Sequence, residues 1–268
     1  MRQGQLGVVY AWALTLLLAG APGSAQQPGP TAAQDSAERA MAVLKRTAEV
    51  LSQAQRFSVT LDIGFDAVQD SGQKIEFGET RQVVLRRPDR LRVDATTRAG
   101  AQSTVLFDGE NLTVVHPQEN VYATAARPGS VDEAVRYFVQ DLDMRFPLAE
   151  MLTSHLAQRL PDQVRVADYV ESSSIAGVPC DHLAFRGDET DMQVWVAQGQ
   201  HPLPRRVVIT YRHADVRPQF WAQFNDWNLA SEVPDALFAF TPPVGAAQIA
   251  FSPRQQLPGA ATTGGQQR

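Results

Sequence analysis

Two hydrophobic periods follow each other early in the chain and predict a helix followed by a strand. Over residues 37–51, apolar side chains recur at steps of three and four, with Asp35 or Ser36 placed to cap the first turn. From Phe57 to Phe65, apolar and polar residues then alternate strictly. Because successive side chains of a strand point to opposite faces, this alternation predicts a strand with one buried and one solvated face.

Turn residues and further alternation predict more strands beyond this point. We predict strands over residues 74–87, 91–97, 102–107, 112–116 and 121–125, and again over residues 164–175, 180–186, 192–197, 205–211 and 219–229. Helical spacing within residues 131–142 and 148–156 predicts two short central helices. Residues 231–240 are predicted to close the chain with a turn and a short final strand.

The order of these elements predicts a mainly β fold of the α+β class. About eleven strands in one antiparallel sheet are unusual unless the sheet curls. We therefore expect a curled, half-open antiparallel β-barrel, closed by the N-terminal helix and the two central helices. Such a sheet has a concave interior.

The two ends of the chain differ from this folded region. Residues 1–25 have the pattern of a cleaved secretion signal, with Arg2 before an apolar run and small residues before a cut near Ala25. An uncleaved anchor is the alternative. Residues 26–34 are expected to form a disordered leader, residues 35–251 a single domain, and residues 252–268 a disordered tail. No cysteine follows the cut, so no N-terminal lipid is expected.

Composition and charge exclude several classes of function. The net charge is −5 and the basic residues are dispersed, which argues against nucleic acid as a partner. No second long apolar run follows the signal, so no integral membrane span is expected in the mature chain, which we expect to be a monomer. The single cysteine, Cys180, cannot close an intrachain disulfide, so a hydrophobic core must hold the domain together.

Few residues suggest catalysis. Cys180 and His182 would share one face of a strand, but nucleophile and base normally need a third, orienting group as well. We interpret Cys180 as structural and expect no catalytic residues, so the protein is not predicted to be an enzyme. The five histidines lack the spacing of helical metal ligands, and neither a metal site nor a cofactor is expected.

Three stretches, over residues 83–93, 107–117 and 237–246, together resemble the periplasmic outer-membrane lipoprotein carrier superfamily. The first is an apolar strand with a basic pair and a proline, the second an Asp-Gly hairpin, and the third a Phe-x-Phe-x-Pro-Pro-x-Gly signature. Within that superfamily, the chain is most similar to an uncharacterised branch of predicted periplasmic proteins.

The resemblance implies an apolar cavity that accepts acyl chains. Arg87 matches the position at which the carrier keeps an inward arginine that bonds to its lid, although a surface arginine before a turn is an equal alternative. The ligand-binding residues that the resemblance implies are Phe57, Val59, Leu61, Ile63, Phe65, Phe77, Leu85 and Arg87, although any β-rich core would contain the same apolar residues.

These observations favour a periplasmic, non-enzymatic carrier for a lipid or another hydrophobic ligand. The alternative is a cell-envelope sensor or interaction module that binds a protein partner. A hydrolase that uses Cys180 and His182 is the least favoured hypothesis.

Overall fold

A single twelve-stranded sheet organises the protein, whose computed structural model describes residues 30–142, 147–230 and 232–251. The helices are α1 (Pro30–Gln53), α2 (Val131–Arg136) and α3 (Leu156–Arg159). The strands are β1 (Arg56–Val68), β2 (Lys74–Arg86), β3 (Arg90–Thr97), β4 (Gln102–Phe107), β5 (Asn111–His116), β6 (Val121–Ala126), β7 (Val166–Ile175), β8 (Val178–Arg186), β9 (Thr190–Ala197), β10 (Pro204–Tyr211), β11 (Gln219–Asn228) and β12 (Ala247–Gln248).

The strand order is β12-β6-β5-β4-β3-β2-β1-β11-β10-β9-β8-β7. Strands β1 to β6 form one antiparallel meander and β7 to β11 form a second, and β1 joins them by pairing with both β2 and β11. The two edge strands, β12 and β7, do not pair with each other, so the sheet stays open. The mainly β fold and its half-open sheet, predicted from the alternation, are confirmed.

One face of this sheet carries the main hydrophobic core. Phe57, Leu61 and Ile63 of β1 are buried, and their cross-strand partners on β11 include the buried Phe224 and Ala222. Since directly opposed residues of an antiparallel pair lie on the same face, this row defines the inner, concave side. The alternation in the sequence therefore identified the correct buried face.

Helix α1 packs on the inner side next to β7 and β8. Its described part begins at Pro30, so residues 30–34 are helical and do not belong to the irregular leader predicted for residues 26–34. Ser36, a predicted cap, lies inside the helix, where its hydroxyl accepts a hydrogen bond from the Tyr169 backbone N–H at 2.9 Å. The predicted signal and tail lie outside the described residues.

The two predicted central helices are shorter and more irregular than expected. Residues 131–142 form α2 and a π-helical turn, and the Ser130 hydroxyl and the Glu133 carboxylate make a capping box at the start. The second region consists of a 3₁₀ turn over Ala149–Leu152, then α3. Leu148 has a φ of 70°, a left-handed conformation that prevents a continuous helix from running through it.

The last described residues, 232–251, form what we call the C-terminal strap, and here the predicted strand within residues 231–240 is wrong. The strap contains a 3₁₀ turn at Asp235–Leu237, and the last strand among the described residues is β12, paired in parallel with β6. Arg86 and Arg92 donate hydrogen bonds to the backbone carbonyls of Val233 and Leu237, at 2.9 and 3.0 Å. These carbonyls thus bond to side chains and not to a neighbouring strand.

Phe238 anchors the strap, since it is only 1% exposed. We expect Phe238→Ala to lower the free energy of unfolding by about 3–5 kcal/mol, because a large buried side chain is removed. Phe240→Ala is the matched control. Phe240 is partly exposed, and the centroid of its ring lies 5.1 Å from that of Tyr122, so removing its side chain should lower the free energy of unfolding by only about 1 kcal/mol. Urea unfolding measures both, and equal losses would contradict the anchoring role of Phe238.

Candidate functional site

A cavity of about 750 Å³ lies between the helices and the second half of the sheet. Its volume is within the range of roughly 300–1,000 Å³ that is typical of small-molecule sites. The apolar part of its lining comes from α1, the central helices, β9 and β10, and consists of Leu44, Ala48, Leu51, Val135, Val139, Leu148, Ala149, Met151, Leu156, Leu160, Met192, Val194, Pro204 and Val207.

Polar side chains form the rim of this cavity. The charged members are Asp132, Glu133, Arg136, Glu150 and Arg159, and His155 lies among them. A mainly apolar cavity with a few polar groups is the arrangement that binds and orients small ligands with a large apolar part.

Arg87 lies beside the cavity and joins two helices. Its Nε donates to the carbonyl oxygen of Ala54 at 3.1 Å and its Nη2 to that of Leu51 at 3.5 Å, at the C-terminal end of α1. Its Nη1 lies 3.6 Å from Oδ1 of Asp132 in α2, and only 8% of its side chain is exposed. The Arg87 side chain is therefore buried between α1 and α2, but it is not part of the cavity lining.

Asp132 extends this connection to the segment before α3. Its Oδ1 accepts a hydrogen bond from the Ser154 backbone N–H at 2.9 Å, and its Oδ2 accepts one from the Ser154 hydroxyl. The Nε2 atom of His155 lies 3.4 Å from the same Oδ2. The carboxylate of Asp132 thus links all three helices that surround the cavity. We call Arg87, Asp132 and Ser154 the latch.

Burial of Arg87 has an electrostatic cost. Desolvation lowers the pKa of its guanidinium from the ordinary value, and the charge of Asp132 partly offsets this. An arginine remains protonated at neutral pH because its ordinary pKa is so high. The buried charge therefore persists and needs the helix carbonyls and Asp132 as partners.

The cavity lining includes none of the eight residues predicted to bind ligand. Five of them fill the core of the sheet: Phe57, Val59, Leu61, Ile63 and Leu85. Phe65 is partly exposed, and Phe77 is 44% exposed at the far end of the β1–β2 hairpin. Arg87 belongs to the latch. Direct contact between these residues and a ligand stays a prediction.

A row of cross-strand partners nevertheless connects the cavity with two of these residues. Met192 lines the cavity and pairs with Ile209, which pairs with Phe220. Phe220 pairs with Phe65, and Phe65 with Phe77, whose rings are 6.2 Å apart. Since opposed residues share a face, the inner side of the sheet is apolar along this whole row.

The sequence reasoning missed Asp132 and the lining residues of β9 and β10. The pattern from Ser130 to Glu133 is a readable capping box, and it places the start of α2 just before Asp132. Its partners, Arg87 and Ser154, are distant in sequence, so no local pattern could have assigned Asp132 to the latch.

The sequence reasoning also missed a buried ion pair in β2. Glu79 and Arg81 are 3% and 5% exposed, and the guanidinium of Arg81 donates to Oε1 of Glu79. Burial lowers the pKa of Arg81, and the charge of Glu79 opposes that shift. Both residues occupy inner positions normally held by apolar side chains, so they interrupt the alternation of β2, and that interruption is the signal by which the sequence could have shown the pair.

Cys180 does not have the surroundings of a nucleophile. Its side chain is fully buried, and its Sγ donates to the backbone carbonyl of Val178 at 3.2 Å. Burial raises the pKa of the Cys180 thiol, which disfavours the reactive thiolate. His182 instead contacts Gln193 at 3.1 Å and stacks on Trp195.

Among the described residues, no group of three or more histidine, cysteine, aspartate or glutamate side chains is arranged to hold a metal ion. None of the helices in the described ranges is both long and apolar enough to cross a membrane.

The chain belongs to the family of predicted periplasmic proteins called DUF2092, which matches residues 40–252. This range includes all three stretches on which the resemblance was based. The expected membership of an uncharacterised branch of predicted periplasmic proteins is therefore confirmed. No curated protein matches the chain.

Several solved structures are similar to this chain at low identity. The lipoprotein LppX of Mycobacterium tuberculosis is 15% identical, with a TM-score of 0.48 over 74% of this chain and 100% of its own. LprF of Mycobacterium bovis is 10% identical, with a TM-score of 0.47 over 74% and 97%. A LolA superfamily protein from Nitrosomonas europaea, NE2245, is 14% identical, with a TM-score of 0.37 over 75% and 97%.

The burial of Cys180 leads to a chemical test. Because burial raises the pKa of the thiol and blocks access to it, we expect a disulfide reagent to modify native protein at pH 8 at least about tenfold more slowly than unfolded protein. The absorbance of the released thiolate measures both rates, and unfolded protein in guanidinium is the internal control. Equal rates would show that Cys180 is accessible and reactive.

Proposed function

We propose that this protein is a periplasmic, non-enzymatic carrier that holds a lipid or another hydrophobic ligand in the cavity. The single observation that carries the proposal is the cavity itself, which combines about 750 Å³ of space, a mainly apolar lining and a polar rim. For a ligand longer than the cavity, the proposal also includes contacts with Phe65 and Phe77, which lie on the apolar row that extends from the cavity across the sheet. The proposal includes export and cleavage after Ala25.

A carrier needs a site that ligand can enter and leave. The latch offers a physical basis, because it ties α1, α2 and the segment before α3 through a few polar contacts at the rim. Breaking these contacts would remove the polar connections of α2 to α1 and to the segment before α3 while leaving the hydrophobic core of the sheet intact. We therefore propose that the latch controls exchange of ligand.

Mass spectrometry under native conditions tests the carrier function directly. Protein purified from its own cell envelope should carry lipid in nearly stoichiometric amount. Protein that is free of lipid but bound to an envelope protein would instead favour the alternative function, a sensor or interaction module.

Filling the cavity should prevent binding. Ala48 is buried in α1 and lines the cavity, so Ala48→Phe should reduce bound lipid by about tenfold by occupying its space. Ala42→Phe places the same side chain on the exposed face of the same helix and should leave the bound lipid unchanged. Bound lipid is measured by native mass spectrometry, and circular dichroism checks that both variants fold. Full retention of lipid by folded Ala48→Phe would contradict the cavity as the binding site.

Loss of the latch should accelerate ligand exchange. We expect Arg87→Leu to release a fluorescent fatty-acid probe about tenfold faster, because its charge-assisted contacts with Asp132 and the end of α1 disappear. Stopped-flow fluorescence measures the release rate. The control is Arg56→Leu, which removes an exposed arginine near the same end of the sheet.

A double-variant cycle separates the latch from general destabilisation. If Arg87 and Asp132 act as a pair, Asp132→Asn should also accelerate release, and the double variant should resemble the single ones. Unchanged release in Arg87→Leu, or fully additive effects of the two changes, would contradict the latch.

A further inference from the structure

The carboxylates on the cavity rim are largely satisfied within the protein. Asp132 is held by Arg87 and Ser154. Glu133 accepts hydrogen bonds from the backbone N–H and the hydroxyl of Ser130, at 2.8 and 3.0 Å. These two residues therefore have structural partners and need none from a ligand.

Glu150 is only half satisfied. Its Oε1 atom lies 3.1 Å from Nη1 of Arg159. Its Oε2 atom is buried and has no hydrogen-bond partner among the described residues. A buried acceptor without a donor is costly, so Glu150 has the capacity to accept one hydrogen bond from a bound molecule.

Arg136 is the cationic counterpart of Glu150 in the cavity lining. It lines the cavity at the end of α2, and the described residues offer its guanidinium neither an ion pair within 4.0 Å nor a hydrogen bond. The charge of Glu133, one helical turn earlier, acts on it, but that carboxylate already serves the capping box. The guanidinium therefore has donors available for an anionic oxygen.

The elements that carry these two groups are in contact with each other. Helix α2, which ends at Arg136, packs against the turn Ala149–Leu152, which contains Glu150. Both side chains border the same cavity, next to its apolar lining.

We infer that the ligand is an amphiphile whose head group carries both an anionic oxygen, bound by Arg136, and a hydrogen-bond donor, accepted by Glu150. This inference rests on the proposed carrier function and specifies its ligand class. A phosphodiester head with an ammonium or a hydroxyl group satisfies both residues. A choline head lacks the donor, and a diacylglycerol lacks the anion.

Four soluble lipids with identical six-carbon chains test this specificity: dihexanoyl phosphatidylethanolamine, phosphatidylglycerol, phosphatidylcholine and dihexanoylglycerol. Titration calorimetry on the unmodified protein, freed of lipid, should give dissociation constants about tenfold lower for the first two than for the last two. Inorganic phosphate, which has the anion and no chain, should not compete with them at millimolar concentration.

Two variants assign the preference to individual residues. Arg136→Gln should remove the advantage of phosphatidylglycerol over dihexanoylglycerol, and Glu150→Met should remove its advantage over phosphatidylcholine. Arg46→Gln and Glu38→Met, on the exposed face of α1, are the matched controls and should preserve both preferences.

Several outcomes would overturn the inference. If the dissociation constants of the unmodified protein for all four lipids agree within about twofold, the protein does not distinguish the head groups. The inference then fails, while the carrier function stands. If the preferences survive in both rim variants, other residues produce them. Effective competition by phosphate alone would show a simple anion site, and failure of all four lipids to bind would overturn the proposed function as well.

Discussion

The contact between Arg87 and Asp132 is the interaction on which the arrangement around the cavity depends. One guanidinium reaches the carbonyl oxygens at the end of α1 and the carboxylate of α2, and that carboxylate also holds Ser154. Helix α1 also packs directly on α3, where Ala48 and Leu51 cluster with Leu156, and the Ser52 hydroxyl accepts a hydrogen bond from the Ala157 backbone N–H at 3.1 Å. The latch adds the polar connection of α2 to α1 and to the segment before α3.

The free-energy cost of burying the Arg87 guanidinium explains why the groups around it are polar. A buried guanidinium must find acceptors, and the last carbonyl groups of a helix are acceptors that lack partners within the helix. Arg87 thus donates hydrogen bonds to carbonyl oxygens at the end of α1, and these carbonyls provide the acceptors that the buried guanidinium needs. Breaking the contact leaves both groups without partners, so the helices should separate as a cooperative step and not by gradual loosening.

The sequence predicted the parts of the structure that depend on local patterns. The eleven strands from β1 to β11 follow from alternation and turns, since most of them have one buried face; β7, in which only Ala167 is buried, is the exception. The strap was missed because Arg86 and Arg92 bind its backbone from distant strands. The cavity lining was missed for a related reason: Ala48 and Val207 look like ordinary core residues, and only the tertiary structure shows that they face unfilled space.

Side-chain size accounts for the position of the cavity within the concave side of the sheet. Around β1 and β11, aromatic residues such as Phe57 and Phe224 are almost fully buried in the core. Around β9 and β10, the inner residues that line the cavity include Val194 and Val207, and Ala48 of α1 lines it as well. Close packing requires large and small residues to interdigitate, and these three side chains are small. The same alternating pattern therefore accompanies an aromatic core around β1 and β11 and a cavity beside β9 and β10, and these inner side chains differ in volume more than in hydrophobicity.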